Sequence, residues 1–213
     1  MPKLIESQIE DFAIKKFQSQ GYSHLYGPEI APDGTKPERS NFGEVILRER
    51  LKKAVRHINK NVSEDAQDEA LKEVFRISSS ELLVNNEIFH RYLTEGVPVE
   101  ILKNGDTRGE RVWLVDFEHP SNNDFVVCNQ FTVIENGYNK RPDIILFVNG
   151  LPLVVIELKN AADENATVKA AFQQIETYKK MIPSLFTYNA LCVISDGLEA
   201  KAGSLSAGFN RFM

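Results

Sequence analysis

The chain has 213 residues, 42% hydrophobic, 26% charged and 9% aromatic, with 30 acidic against 25 basic side chains and a formal charge of −5. At this length folding takes roughly 70% of the extended chain's surface out of water, so a core forms without disulfides or metals to staple it. No stretch approaches the roughly 20 apolar residues that span a bilayer, the amphipathic start is not a secretory signal, and the acidic balance excludes a general nucleic-acid coat.

Apolar residues at Ile5, Ile9, Phe12, Ala13 and Phe17 recur with a helical period, so the chain opens on a helix over residues 4–20 that Gly21 stops. Residues 27–40 hold three prolines and two glycines and read as a loop. Three helices are expected next, over residues 41–59, 63–77 and 80–94, with Ser80 as the N-cap of the third and Gly96 closing it. After Gly96 the period becomes strand-like. Runs over residues 97–102, 111–117 and 125–134 are rich in β-branched and aromatic residues, with Asn-Gly, Asp and Asn-Asn breakers between them.

Strands over residues 144–147 and 153–159 follow, then a helix over 166–181 ended by Pro183, and a last strand over 190–195 stopped at Asp196-Gly197. The order predicts an α/β fold, a mixed central β-sheet flanked by helices with a helical insertion after the first helix. One domain is expected over residues 1–200, with the insertion at 41–95. Residues 201–213 read as the start of a linker, as though the chain were cut from a longer polypeptide. Cys128 and Cys192 sit in apolar runs and read as buried thiols of a cytoplasmic protein. His24, His57, His90 and His119 show no metal-ligand spacing. Glycosylation-type triplets at Asn61 and Asn165 carry no meaning in such a compartment.

The chemistry concentrates between Arg141 and Lys159. Asp143 stands at the start of one strand and Glu157 lies 14 residues later, near the end of its neighbour. Lys159 is two positions beyond Glu157 and leaves the same face. The run Leu153-Val154-Val155-Ile156 before them suits a strand covered on both faces. Charges at the end of such a strand are costly unless they are paired or bind a metal. Two carboxylates and the backbone carbonyl of Leu158 suit Mg²⁺, and an ammonium beside them suits phosphodiester hydrolysis. The bland alternative is a strand-end ion pair between Glu157 and Lys159. Gln174 and Tyr178 are one helical turn apart on the following helix and could support the site, or form no more than a polar edge. The basic segment Arg48, Arg50, Lys52, Lys53 and Arg56 could touch phosphates, but reads better as a solvated face beside Glu44 and Glu49.

The turn decides whether the two carboxylates can meet. A two-residue Asn149-Gly150 loop pairs Val148 with Leu151 and sets Asp143 opposite Ile156, hence away from Glu157. A three-residue loop with Gly150 in a G1 bulge pairs Phe147 with Leu151 and faces Asp143 toward Val155, on the side of Glu157. The bulged loop is therefore expected, or another one-residue irregularity between Asp143 and Glu157, for instance at Pro142-Asp143.

Arg141-Pro142-Asp143 through Glu157-Leu158-Lys159 resembles the PD-(D/E)xK nuclease motif, in the form found in the motor (R) subunit of type I restriction enzymes. Gln174 to Tyr178 resembles the QxxxY motif of that family, Asn189 to Gly197 its next strand, and the Glu10 helix with Gly21-Tyr22 its opening. The resemblance implies a DNA endonuclease domain of a type I restriction-modification R subunit, acting without sequence specificity of its own. It implies Asp143, Glu157 and the Leu158 carbonyl as Mg²⁺ ligands, Lys159 as the catalytic ammonium, and Gln174, Tyr178 and Glu10 in support. DNA, the specificity subunit and the modification (methyltransferase) subunit are the implied partners. ATP would serve only a translocase motor in the full-length subunit, since no GxxxxGK[ST] occurs here. Two other readings fit the residues: a stand-alone repair or recombination nuclease of the same fold, and a non-catalytic nuclease-like docking module.

Overall fold

The apolar period of the first segment folds as α1 (Glu6–Ser19), and Gly21 ends it with a φ of 97°. The computed structural model describes residues 6–103, 106–159 and 168–213. The strands of its central sheet are β1 (Ser23–Tyr26), β4 (Phe125–Asn129), β7 (Ile144–Val148), β8 (Leu151–Leu158), β9 (Leu191–Ser195) and β10 (Ala200–Gly203), hydrogen-bonded in the order β1-β4-β7-β8-β9-β10. The pairs β1–β4 and β8–β9 are parallel and the others antiparallel, so the sheet is mixed. Between β1 and β4 lie α2 (Arg48–Ile58), α3 (Glu64–Phe75), α4 (Leu82–Glu95) and a separate hairpin of β2 (Val97–Lys103) with β3 (Asp106–Val112). A second small hairpin, β5 (Val133–Glu135) with β6 (Tyr138–Lys140), separates β4 from β7. The crossover from β8 to β9 carries α5 (Val168–Met181) and α6 (Pro183–Thr187).

Alternation along the strands splits the core in two. Val127, Ile144, Leu146, Ile156 and Leu158 pack with Ile9 and Ile14 of α1. Cys128, Ile145, Phe147, Val155 and Cys192 face the other way and join the larger core with Ala171, Ile175 and Tyr178 of α5. Both cysteines are free and buried, and burial pushes each thiol up to about 12. Among the described residues no helix is long and apolar enough to cross a membrane.

Several elements differ from the sequence expectation. Residues 41–47 are not helical, because Val45, Ile46 and Leu47 are all buried in succession and no single helix face buries three in a row. The third helix takes Glu81 as its N-cap, while Ser79 Oγ, not Ser80, accepts the Glu81 amide. The strand expected over 111–117 ends at Val112, after which the Trp113 amide turns to Asn59 Oδ1 and Asp116 holds the amides of Glu118 and His119. The run over 125–134 is two strands, broken at Gln130, whose φ is 57°. Residues 201–213 include most of β10, with Ala202 and Met213 bonded in both directions, and Phe209 and Phe212 edge onto Phe172 of α5. The helix expected from residue 166 is seen from Val168; residues 166 and 167 lie outside the described ones.

Candidate active site

The carboxyl ends of β4, β8 and β9 and the start of β7 meet at one end of the sheet, where α/β sheets gather their ligands. The turn between β7 and β8 is the two-residue kind. Val148 pairs with Leu151, and Asn149 and Gly150 take φ values of 54° and 81°, so the bulged three-residue loop is not formed. Asn149 is held there by its side chain, which accepts the Asp124 amide at 2.7 Å and donates to the Leu114 carbonyl and Asn123 Oδ1.

The irregularity falls farther along. Phe147 pairs with Pro152 but Leu146 pairs with Val154, leaving Leu153 as an extra residue on β8. Pro152 has no N–H for the ladder, and the Leu153 carbonyl turns to the Ala190 amide at 2.7 Å and Asn189 Nδ2 at 3.2 Å. Beyond the bulge Ile144 pairs with Ile156, and one further step sets Asp143 across from Glu157. The carboxylates therefore share a face, on the α5 side of the sheet. The proline that achieves this is Pro152, not Pro142.

Asp143 Oδ2 accepts the Leu158 amide at 2.7 Å, which ties the start of β7 to the end of β8. Glu157 is 2% exposed. Lys159 Nζ donates to Glu157 Oε1 at 2.7 Å and to the Leu158 carbonyl at 2.9 Å. Burial, then the Asp143 charge, pushes the Glu157 carboxyl up to about 7 despite Lys159. Glu157 Oε2 is buried with no hydrogen bond to any described residue. The Tyr178 hydroxyl lies beside that carboxylate and donates to the Arg141 carbonyl at 3.4 Å. Oε2 is left open toward the site.

Tyr178 is 4% exposed on α5, and burial together with the Glu157 charge raises its phenol, against which Gln174 acts as a hydrogen-bond partner. Gln174, Tyr178, Asp143, Glu157, Leu158 and Lys159 are thus brought together. Glu10 lies on the far side of Asp143, accepting Asn129 Nδ2 at 2.7 Å and Gln130 Nε2 at 2.9 Å. Sequence reasoning missed Gln130. Its left-handed backbone aims its amide at the Asp143 carbonyl, 3.2 Å away, while its side chain rests on Glu10. No periodicity marks such a residue; the only signal is its place just after a strand. The basic segment on α2 is largely spent in ion pairs: Arg48 with Glu44, Arg50 with Glu38 and Asp124, Arg56 with Asp68.

Two facing carboxylates, one of them buried with an open oxygen, are a poor arrangement for bare charges and a fitting one for a hard divalent cation. Asp143, Glu157 and the Leu158 carbonyl supply oxygens alone, the donor set that Mg²⁺ prefers. The residues present fit such an ion.

The chain matches the family model described as the type I restriction enzyme R protein N terminus over residues 3–211. It is 44% identical over 210 residues to the type I restriction enzyme HindI endonuclease subunit of Haemophilus influenzae, covering 98% of this chain and 20% of that protein. It is 37% identical over 207 residues to the putative type I restriction enzyme MjaIXP endonuclease subunit of Methanocaldococcus jannaschii, covering 96% of this chain and 20% of that one. The chain thus spans about one fifth of the length of these curated relatives.

Proposed function

Because the chain belongs to the family of type I restriction enzyme R protein N termini, we propose that it is the Mg²⁺-dependent DNA endonuclease domain of such a subunit. The observation that carries this reading is the Asp143–Glu157 pair facing each other with Lys159 on Glu157 and Glu157 Oε2 left open. Asp143, Glu157 and the Leu158 carbonyl would hold the ion. When bound, it supplies a water of lowered pKa and neutralises charge at a phosphodiester.

The side chains around it divide the remaining work. Lys159 is the catalytic ammonium: its Nζ already reaches a carboxylate oxygen and a main-chain carbonyl of the site, where negative charge on a phosphate would develop. Tyr178 and Gln174 hold the site from α5 without binding the ion, and Glu10 supports the start of β7 through Gln130. Sequence choice would come from specificity and modification subunits, and ATP would act in a motor elsewhere in the full-length subunit, in the cytoplasm. This relieves the tension between an acidic chain and a polyanionic substrate.

The test is plasmid nicking with Mg²⁺ in the assembled, ATP-supplied enzyme, beside calorimetric Mg²⁺ binding. Asp143→Ala and Glu157→Ala should lose both. Cleavage that survives either change would sink the reading. Mg²⁺ binding without any cleavage by the unsubstituted enzyme would favour a docking module.

A further inference from the structure

The hairpin of β5 and β6 leads straight into the site. Its last strand residue is Lys140, and the next three residues are Arg141, Pro142 and Asp143. The β5 strand of the hairpin is fixed to the body: the Ile134 amide donates to the Phe42 carbonyl at 3.1 Å, and Glu135 Oε2, just before the turn, accepts the Ser184 hydroxyl at 2.7 Å and its amide at 3.1 Å. On the other side the Tyr178 hydroxyl meets the Arg141 carbonyl. The tip turns on Asn136 and Gly137 and leaves Tyr138 47% exposed. A ribbon held along β5, with its turn and most of β6 exposed, is preorganised for a partner.

Its cations stand directly beside the site in the chain. Neither Lys140 nor Arg141 has an ion pair among the described residues, and Arg141 is exposed, whereas the arginines of α2 are engaged by acids. The site itself offers a polyanion two carboxylates and one lysine that already contacts Glu157. With a net charge of −5, attraction for DNA has to be local. Three residues of chain reach at most about 11 Å, and each strand of DNA carries a phosphate every 3.4 Å or so along the helix axis. Lys140 and Arg141 therefore command phosphates within about three nucleotides of one seated at Asp143. Tyr138 adds a face on which a base or sugar can stack.

We propose that the β5–β6 hairpin is a DNA-backbone clamp, in which Arg141 and Lys140 neutralise phosphates flanking the scissile one. The identity of the partner rests on the nuclease reading above; the test separates the two. Binding of the protein to a labelled duplex is measured in EDTA, so that no cleavage intervenes, across roughly 50–200 mM salt. Arg141→Ala and Lys140→Ala should each weaken binding by roughly tenfold at 0.1 M salt and reduce the salt slope by about 1, while Arg141→Lys keeps the slope. Lys60→Ala, an exposed lysine beyond α2, serves as control and should leave the slope unchanged. Equal losses in the control and the hairpin variants, unchanged slopes in the hairpin variants, or no binding by the unsubstituted protein would each overturn the clamp. Hairpin-dependent binding by a protein that fails to take up Mg²⁺ would uphold the clamp and defeat the nuclease reading.

Discussion

Two hairpins in this molecule close on the same dipeptide, and the same backbone serves opposite ends. Asn149-Gly150 and Asn136-Gly137 have nearly equal φ values, 54° and 81° against 50° and 81°. Asn149 is fully buried and its amide satisfies Asp124, Leu114 and Asn123, while the Gly150 carbonyl accepts the Leu47 amide and a Cβ on Gly150 would strike the Leu47 carbonyl. Asn136 is exposed, and a Cβ on Gly137 would meet nothing. The dipeptide alone dictates the turn. What surrounds it decides whether the hairpin becomes a rigid mount for carboxylates or an open ribbon.

The comparison breaks if substitutions in the two hairpins act alike. The largest effect is expected at the chemical end of the mount: Lys159→Ala should lower plasmid cleavage by roughly 10²-fold or more with the thermal midpoint little changed. Wild-type rates would remove Lys159 from the chemistry. Asn149→Ala should cost about 2–3 kcal/mol in urea denaturation, since it leaves buried partners unpaired as well as straining a left-handed backbone. Tyr178→Phe should slow cleavage by roughly tenfold while calorimetric Mg²⁺ affinity is kept; lost affinity would make the phenol a ligand. Asn136→Ala comes last, at about 1 kcal/mol for the left-handed backbone alone. A cost equal to that of Asn149→Ala would mean that burial adds nothing to the turn.

The legible part of the fold was the part where local chemistry and burial agree. β7, β8 and α5 announce themselves because Ile144 to Phe147 is a continuous buried run and Val168, Ala171 and Ile175 keep a helical period. β1 (Ser-His-Leu-Tyr) and β10 (Ala-Lys-Ala-Gly) escape notice because edge strands need little apolar surface; they exist because β4 and β9 offer unpaired ladders. At the site, Asp143, Glu157, Lys159, Gln174 and Tyr178 could be named from spacing and family likeness. Gln130 could not, since its contribution is one backbone amide aimed by a φ of 57°. The irregularity between the carboxylates could be deduced from face alternation. Its location could not, because it depends on which carbonyl Ala190 and Asn189 claim.

The extra Leu153 also sets which changes of length the site can survive. In a hairpin with a two-residue turn, facing residues are separated by an odd number of positions, yet Asp143 and Glu157 are separated by 14, an even one. One unpaired residue restores parity. Deleting Leu153 itself would leave Asp143 across from Glu157, at the cost of the bonds to Ala190 and Asn189 and of the Leu153 side chain's packing on the larger core. Deleting Ile145 instead, with the bulge kept, would slide Asp143 opposite Ile156 and turn it toward α1. Within this hairpin, single-residue deletions are therefore not equivalent, and the tolerated one lies at the bulge.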